Sequence, residues 1–122
     1  MKRILVIDDD IQVRQMLRQT LQRAGYEVVE APDGKQGLSL FRQSPTDLVI
    51  TDIIMPEKEG VETIMELKRD FPDVKIIAIS GGSRGIDAHN CLSYVERLVT
   101  RTFTKPFEPK ELLEAIQELL GV

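Results

Sequence analysis

The sequence predicts an α/β fold in which helices cover both faces of a parallel sheet. Five short apolar runs alternate with five helical patterns along the chain. The runs are apolar at nearly every position, as expected of strands that are buried on both faces. Repeating strand and helix units of this length form parallel sheets through right-handed crossovers. The 122 residues suffice for one such domain, so we assign residues 1–122 to a single unit.

The predicted strands are short and built mostly of branched apolar residues. They cover residues 4–7, 26–30, 48–50, 74–79 and 101–104. The third run leads directly into Thr51 and Asp52, the fourth is the most strongly apolar, and the fifth is only weakly apolar. We expect loops at residues 53–59 and at the glycine-rich residues 80–85.

The predicted helices are recognised by apolar residues three or four positions apart, which form one buried stripe on each helix. Asp10 is suited to cap the first helix, because its carboxylate can accept a hydrogen bond from a first-turn N–H. Gly60 begins the third helix. The apolar positions of the five helices are, in chain order, Val13, Met16, Leu17, Leu21 and Ala24; Leu38, Leu40 and Phe41; Val61, Ile64, Met65 and Leu67; Leu92, Val95 and Leu98; and Leu112, Leu113, Ile116, Leu119 and Leu120.

Composition and charge argue against several classes of protein. The net charge of -4 disfavours a non-specific nucleic-acid binder and a protein that binds anionic membranes. No stretch approaches the roughly 18 apolar residues of a membrane span. Cys91 is the single cysteine, so no internal disulfide can form, which is typical of a reducing cytosol. We therefore expect a cytoplasmic protein that contacts neither membrane nor nucleic acid directly.

Polar residues follow four of the five predicted strands. Asp8, Asp9 and Asp10 follow the first strand, Asp52 the third, Ser80 the fourth and Lys105 the fifth. In sheets of this kind ligands bind beyond the carboxyl ends of the strands. These side chains are therefore the candidate functional residues.

The aspartates predict a cation site. Two carboxylates about 5 Å apart repel by roughly 3 kcal/mol at an effective dielectric constant near 20. Mg2+ suits such a group, because it prefers oxygen ligands and often shares one or two carboxylates with a phosphate. A solvated turn with a helix cap is the alternative, and we favour it for Asp10. For Asp8 and Asp9 it becomes improbable once Asp52, Ser80 and Lys105 are considered.

The same residues are suited to phosphoryl transfer. The Asp52 carboxylate can attack phosphorus and form an acyl phosphate. Lys105 offers a positive charge for phosphate oxygens, and Ser80 offers a hydroxyl donor. Positioning and charge neutralisation supply most of the catalysis of such a reaction.

Four segments together resemble the receiver domain of bacterial two-component response regulators. They are ILVIDDD (4–10), DLVITDIIMPEKEG (47–60), IIAISGG (76–82) and TKPF (104–107). The resemblance covers essentially the whole chain. It implies a flavodoxin-like sheet with strand order 2-1-3-4-5. It also implies Mg2+-dependent phosphorylation by a histidine kinase or phosphotransfer protein.

The resemblance further implies a role for each matching residue. Asp52 is the phosphoacceptor, and Asp9 is a more direct Mg2+ ligand than Asp8, which acts largely through water. The backbone carbonyl of Ile54 completes the metal site. Lys105 binds the phosphoryl oxygens, and Ser80 hydrogen-bonds the phosphoryl group and moves with it. Pro106 follows Lys105 through a cis peptide bond.

The output face implied by the resemblance comprises the fourth helix, the fifth strand and the fifth helix. The family usually has Tyr or Phe three residues before the lysine, as a rotameric switch. That position is Thr102 here, with Phe103 one residue later. We therefore expect a switch through Ser80 and the backbone rather than an aromatic flip. The segment from Ser80 to Lys105 is also a few residues longer than usual. We expect no output domain within these 122 residues, which form either a stand-alone relay or the receiver of a longer regulator, and the downstream target is unknown.

Two other functions use similar residues. A haloacid-dehalogenase-like phosphatase would use Asp8 as nucleophile and Asp10 as general acid. Gln12, in place of the expected Thr or Val, argues against it, as does the short chain. A binding module that has lost phosphorylation is the other alternative, and the intact acidic pair, Asp52 and Lys105 argue against that. The aspartate that carries the phosphoryl group would separate the receiver from the phosphatase.

Overall fold

The computed structural model describes residues 1–53, 59–81, 97–105 and 107–121 of the chain, and only the backbone of Glu59 and Lys105. Within these ranges there are five strands and four helices. The strands are β1 (Arg3–Ile7), β2 (Glu27–Ala31), β3 (Leu48–Asp52), β4 (Ile76–Gly81) and β5 (Arg101–Lys105). The helices are α1 (Ile11–Arg23), α2 (Gly34–Gln43), α3 (Glu59–Asp70) and α4 (Pro109–Leu120), the last being the fifth predicted helix. The predicted helix with Leu92 and Val95 lies outside the described residues.

The sheet is fully parallel, with strand order β2-β1-β3-β4-β5. This order confirms the predicted topology. The register aligns the carboxyl ends of the strands at one edge: Ile7 pairs with Thr51, Asp52 with Ile79, and Gly81 with Lys105. The residues that directly follow β1 and the residues at the ends of β3, β4 and β5 therefore lie along one rim of the sheet.

Apolar side chains form one layer on each face of the sheet. Alternate strand residues point to opposite faces, so each strand contributes to both layers. One layer contains Leu17 and Leu21 of α1 and Leu112 and Ile116 of α4. The other contains Phe41 of α2 and Ile64 and Leu67 of α3. Burying each such side chain contributes about 1.5–3 kcal/mol, and this holds the rim in place. Among the described residues, no helix is both long and apolar enough to cross a lipid bilayer.

Three apolar residues expected in the helix stripes are exposed instead, and the predictions for them were wrong. Met16 and Met65 retain 40% and 43% of their accessible surface, and Ala24 is the exposed C-cap residue of α1. Each helix contacts the sheet through a narrow stripe of apolar side chains. In α1 that stripe passes through Leu17 and Leu21, the two buried residues of the helix. Met16 is rotated about 100° from Leu17 and lies at the edge of the stripe.

The fourth strand differs most from its predicted bounds. It begins at Ile76 rather than at Val74 and continues through Ser80 to Gly81. Ser80 was predicted to begin a loop, and that prediction was wrong. The strand extends because β5 runs alongside it, pairing Ser80 with Thr104. Ser80 is consequently held by the sheet, with 4% of its surface exposed.

Candidate functional site

An acidic cluster lies at the carboxyl rim of the sheet. One carboxylate oxygen from each of Asp8, Asp9 and Asp52 lies within 4.8 Å of the other two. Asp8 is 1% exposed and Asp52 is 6% exposed, whereas Asp9 faces solvent. Two buried carboxylates and one exposed carboxylate therefore share a small volume.

The register of two neighbouring strands creates this proximity. Ile7 of β1 pairs with Thr51 of β3, so the next residues, Asp8 and Asp52, occupy equivalent positions on adjacent strands. Side chains at equivalent positions in a parallel pair point to the same face. The buried Thr51 hydroxyl donates a hydrogen bond to the Asp52 backbone carbonyl at 3.2 Å, which helps to fix the end of β3.

Asp10 belongs to the helix rather than to the acidic cluster. Its carboxylate accepts a hydrogen bond from the Gln12 N–H at 2.9 Å and caps α1, as predicted. The Asp10 N–H in turn donates to the Asp8 carboxylate at 2.9 Å. The N-cap residue of α1 thus also holds the Asp8 carboxylate.

Ser80 and Lys105 reach the same rim from β4 and β5. Asp52 pairs with Ile79, so Ser80 lies one residue further along the neighbouring strand. Lys105 ends β5 and pairs with Gly81. The backbone of all these residues converges as predicted. Ile54 and Pro106 lie outside the described residues, so the carbonyl ligand and the cis peptide bond stay predictions.

Thr102 and Phe103 lie on opposite faces of the sheet. Phe103 pairs with Ile79 in the layer beneath α1 and α4, where its ring centroid is 5.7 Å from that of Phe107. Thr102 pairs with Ala78, which belongs to the other layer. An aromatic residue at position 102 would lie on the other face of the sheet from Phe103. Phe103 therefore does not take its place.

Gly60 allows α3 to begin directly against the end of β3. A Cβ atom at this position would collide with the backbone carbonyl oxygens of Asp52 and Ile53. The Asp52 carbonyl cannot easily retreat, since the Ile53 N–H of the same peptide unit is bonded to the Ile79 carbonyl at 2.8 Å. Gly60 is thus required because the backbone of α3 lies very close to the backbone at the end of β3.

Sequence reasoning missed two basic residues near the site. Arg14 donates a hydrogen bond to the backbone carbonyl of Asp8 at 2.7 Å and pairs with Glu30 of β2 at 3.6 Å. Arg18 also pairs with Glu30, at 2.8 Å. A signal was available, because Arg14 lies three residues before Leu17 and seven before Leu21, next to the buried stripe of α1. An arginine there must direct its charge toward a partner at the edge of the helix.

The donor set of the acidic cluster fits Mg2+. All three side chains offer oxygen atoms, and the exposed Asp9 leaves room for metal-bound water, which Mg2+ usually retains. Each close pair of carboxylates repels by roughly 3 kcal/mol at an effective dielectric constant near 20, and a divalent cation would relieve this repulsion.

Comparison with known proteins identifies the family. The profile of the response regulator receiver domain matches residues 4–117 of the chain. The chain belongs to this family. Membership excludes the haloacid-dehalogenase-like phosphatase, and the five-stranded parallel order is that of the flavodoxin-like receiver fold. Receiver domains bind Mg2+ in an acidic pocket, and this receiver domain has such a cluster.

Individual relatives differ in length. The receiver domain is 36% identical over 121 residues to the probable transcriptional regulator ycf27 of Cyanophora paradoxa, covering 98% of the chain and 48% of that protein. It is 34% identical over 120 residues to the response regulator receiver protein CpdR of Brucella abortus, covering 98% of both. The chain spans about half the length of the ycf27 relatives that it matches.

A solved structure supports both the fold and the kind of ligand found in the family. The response regulator TrrA of Thermotoga maritima, crystallised in complex with Mg2+ and BeF, matches with a TM-score of 0.86 and 35% identity. The match covers 98% of this receiver domain and 99% of that chain.

Proposed function

We propose that residues 1–122 form one receiver domain that accepts a phosphoryl group on Asp52 from a histidine kinase or phosphotransfer protein. The observation that carries the proposal is the cluster of Asp8, Asp9 and Asp52, whose carboxylate oxygens lie within 4.8 Å of one another. Asp52 is the member that ends the central strand, β3. Its location between Asp8 and Ser80 on the flanking strands favours it as the acceptor.

The reaction requires little chemistry from the protein beyond positioning. A carboxylate oxygen of Asp52 forms a bond to phosphorus while the bond from phosphorus to the donor's imidazole nitrogen breaks. Ser80 donates a hydrogen bond to the transferred group, and Lys105 supplies a positive charge. Asp8, Asp9, Asp52 and the Ile54 carbonyl would hold Mg2+, which when bound offsets the negative charges of the carboxylates and phosphoryl oxygens.

Labelling with a small phosphodonor tests the acceptor. The wild-type protein, incubated with acetyl phosphate and Mg2+, should give a base-labile shifted band on a Phos-tag gel. Asp52→Asn should give none. Asp10→Asn is the matched control, because it alters an aspartate of the same rim that caps α1, and it should still be labelled. Equal labelling of wild type and Asp52→Asn would contradict the assignment. Absence of label in every protein would favour the binding module that has lost phosphorylation.

We propose that the switch operates through Ser80 and Thr102 rather than through Phe103. Ser80 and Thr102 lie on the adjacent strands β4 and β5, and Phe103 is packed against Phe107 on the opposite face. Movement of Ser80 toward the phosphoryl group would alter the output face that the resemblance implies, which includes β5 and α4; the predicted fourth helix of that face lies outside the described residues. Amide exchange with and without Mg2+ and beryllofluoride should change in residues 80–107. Asp52→Asn, treated identically, should not change.

The proposed partners rest on membership of the receiver family, and the charge of the chain is consistent with them. The net charge of -4 favours protein partners over direct contact with nucleic acid. We propose a histidine kinase or phosphotransfer protein upstream and a protein target at the switched face. The single cysteine is consistent with a cytoplasmic location.

A further inference from the structure

We infer that Arg14 is a positioning residue, which holds residues 8–10 in the conformation that binds Mg2+. The inference rests on the proposed function and deepens it, since it concerns how the metal site is kept in shape. Arg14 lies in α1 and is not a member of the acidic cluster. It acts on the cluster through the backbone of Asp8.

Three of the contacts that Asp8 makes hold its backbone and carboxylate. The Asp8 N–H donates to the Ala31 carbonyl at 3.2 Å, at the end of β2. Its carbonyl accepts from Nη1 of Arg14 at 2.7 Å. Its carboxylate accepts from the Asp10 N–H at 2.9 Å. Arg14 thus supplies the only one of these three contacts that comes from a side chain.

Glu30 holds the Arg14 guanidinium in place. Nε of Arg14 lies 3.6 Å from the Glu30 carboxylate, and Nη1 of Arg18 lies 2.8 Å from it. The Arg14 side chain is 14% exposed, against 47% for Arg18. A planar guanidinium can serve Glu30 and the Asp8 carbonyl at once, whereas an ammonium group lacks this forked geometry.

Two effects of Arg14 on metal binding have opposite signs. Its positive charge near the carboxylates opposes the approach of a cation. Its hydrogen bond to Asp8 orders the backbone before the metal arrives, so that less conformational entropy is lost on binding. Glu30 offsets the charge of Arg14, and this weakens the first effect. Positioning therefore outweighs repulsion, and loss of Arg14 should weaken Mg2+ binding.

Titration of the metal-free protein with Mg2+ alone, followed by amide NMR shifts, measures this effect. Arg14→Met should weaken Mg2+ binding by about tenfold, the lower end of the loss typical when groups that orient metal ligands are removed. Arg18→Met is the matched control. This substitution removes the same charge, and the native Arg18 pairs with the same Glu30. The described contacts of Arg18 do not include residues 8–10. It should change the affinity by less than about twofold.

The charge-conserving pair tests the same point without altering electrostatics. Arg14→Lys should weaken Mg2+ binding measurably, and Arg18→Lys should not. Exchange of the Asp10 N–H, which is bonded to the Asp8 carboxylate, should be faster in both Arg14 variants before any metal is added. A merely structural role would lower stability and leave the Mg2+ affinity unchanged. If Arg14→Met does not fold, the two lysine variants decide.

The outcomes separate this inference from the proposed function. Equal Mg2+ affinities of the Arg14 and Arg18 variants would overturn the positioning role alone. Tighter binding by Arg14→Met would show that its charge dominates, and would also overturn the role. Failure of the wild-type protein to bind Mg2+ would overturn the proposed metal site, and this inference with it.

Discussion

A carboxylate oxygen of Asp8 lies within 4.8 Å of one from Asp52, although the two residues are 44 positions apart in the sequence. Both side chains are buried, at 1% and 6% exposure. Their proximity follows from the pairing of Ile7 with Thr51 in adjacent strands. The sheet therefore holds two like charges together, and their repulsion must be offset by a cation or tolerated by the rest of the fold.

Removing the exposed member of the cluster should stabilise the metal-free protein. Asp9→Ala relieves repulsion by Asp8 and Asp52, and solvent screening reduces the gain to about 1 kcal/mol. For a domain of this size that is an increase of roughly 4 °C in the melting temperature. Thermal denaturation without divalent cations measures it.

Asp10, the next aspartate, supplies a control for which we expect the opposite change in stability. Asp10→Ala removes the cap of α1 and should cost about 1 kcal/mol. Excess Mg2+ should raise the melting temperature of the wild type more than that of Asp9→Ala, because the variant has lost one ligand. A metal-free Asp9→Ala protein that melts well below the wild type would contradict this account of the cluster.

The parallel sheet and the convergence of the rim residues were predictable from local patterns, whereas the strand order came from the resemblance to receiver domains. Apolar runs locate the strands, and aspartates directly after them must share one edge of a parallel sheet. The end of β4 was not predictable in the same way. Ser80 precedes two glycines, which locally favour a loop, yet pairing with Thr104 continues the strand. Such pairing is non-local, and a single run of residues does not reveal it.

A side chain at Gly60 should destabilise the protein more than one at Gly37. Alanine at either position gains about 1 kcal/mol of helix propensity. At Gly60 the new Cβ collides with the carbonyl oxygens of Asp52 and Ile53, and a hydrogen bond to β4 holds the peptide unit that contains the Asp52 carbonyl. An overpacking cost of about 3 kcal/mol, the upper end of the usual range, less the gain in propensity leaves a net loss of about 2 kcal/mol.

Gly37→Ala is the control because its Cβ meets only side chains, chiefly the end of Ile7. Rotation of that side chain can relieve part of the overlap, so the net loss should be below about 1 kcal/mol. Urea denaturation gives both free energies of unfolding. A Gly60→Ala protein as stable as Gly37→Ala would show that α3 can move away from the end of β3.

The surface ion pairs predict a specific dependence of stability on pH. The hydrogen bond from the Arg69 side chain, at 3.0 Å, holds the pKa of the Asp70 carboxyl below its ordinary value of 3.8. A lowered pKa in the folded state contributes stability above the ordinary pKa, and this contribution is lost as the pH falls through the folded value. The melting temperature of Asp70→Asn should therefore be below that of the wild type at neutral pH, and the difference should shrink below about pH 4.

Asp73→Asn is the matched control for this experiment. Asp73 is an exposed aspartate three residues later, and it forms no ion pair within the part of the chain that the structure describes. Its difference from the wild type should be small, because it lacks the contacts that Asp70 makes with Arg69 and Arg42. A difference between Asp70→Asn and the wild type that grows as the pH falls would have the wrong sign for this mechanism.

Arg14 shows why part of the site was not predictable. Its position beside the buried stripe of α1 indicates a partner but does not identify one. The partners are a backbone carbonyl at Asp8 and a carboxylate at Glu30, and they belong to different strand ends. Only the packing of α1 against β1 and β2 brings them together. The exposure of Met16 has the same origin, because the width of the stripe depends on the surface beneath the helix.

The lifetime of the phosphorylated state should be long for the family, because the sequence lacks a group to position the attacking water. Hydrolysis requires a water in line with the bond between phosphorus and the Asp52 oxygen. Polar side chains two residues after the acceptor and two after Ser80 could orient it. Those residues are Ile54 and Gly82, which offer no side-chain hydrogen bond. Both lie outside the described residues, so the prediction rests on the sequence.

The opposing effect is access of bulk water through the glycines that follow Ser80. Alignment should matter more than access, since a water that is present but misdirected gains little reactivity. Replacing Ile54 by Asn and Gly82 by Glu together should therefore speed loss of the phosphoryl group by about tenfold. Ile54→Val with Gly82→Ala, which adds no hydrogen-bonding group, should decay like the wild type. The decay of the phosphorylated proteins, followed on Phos-tag gels after removal of the donor, measures all three rates. If the polar double variant decays no faster than the apolar one, water positioning does not control the lifetime.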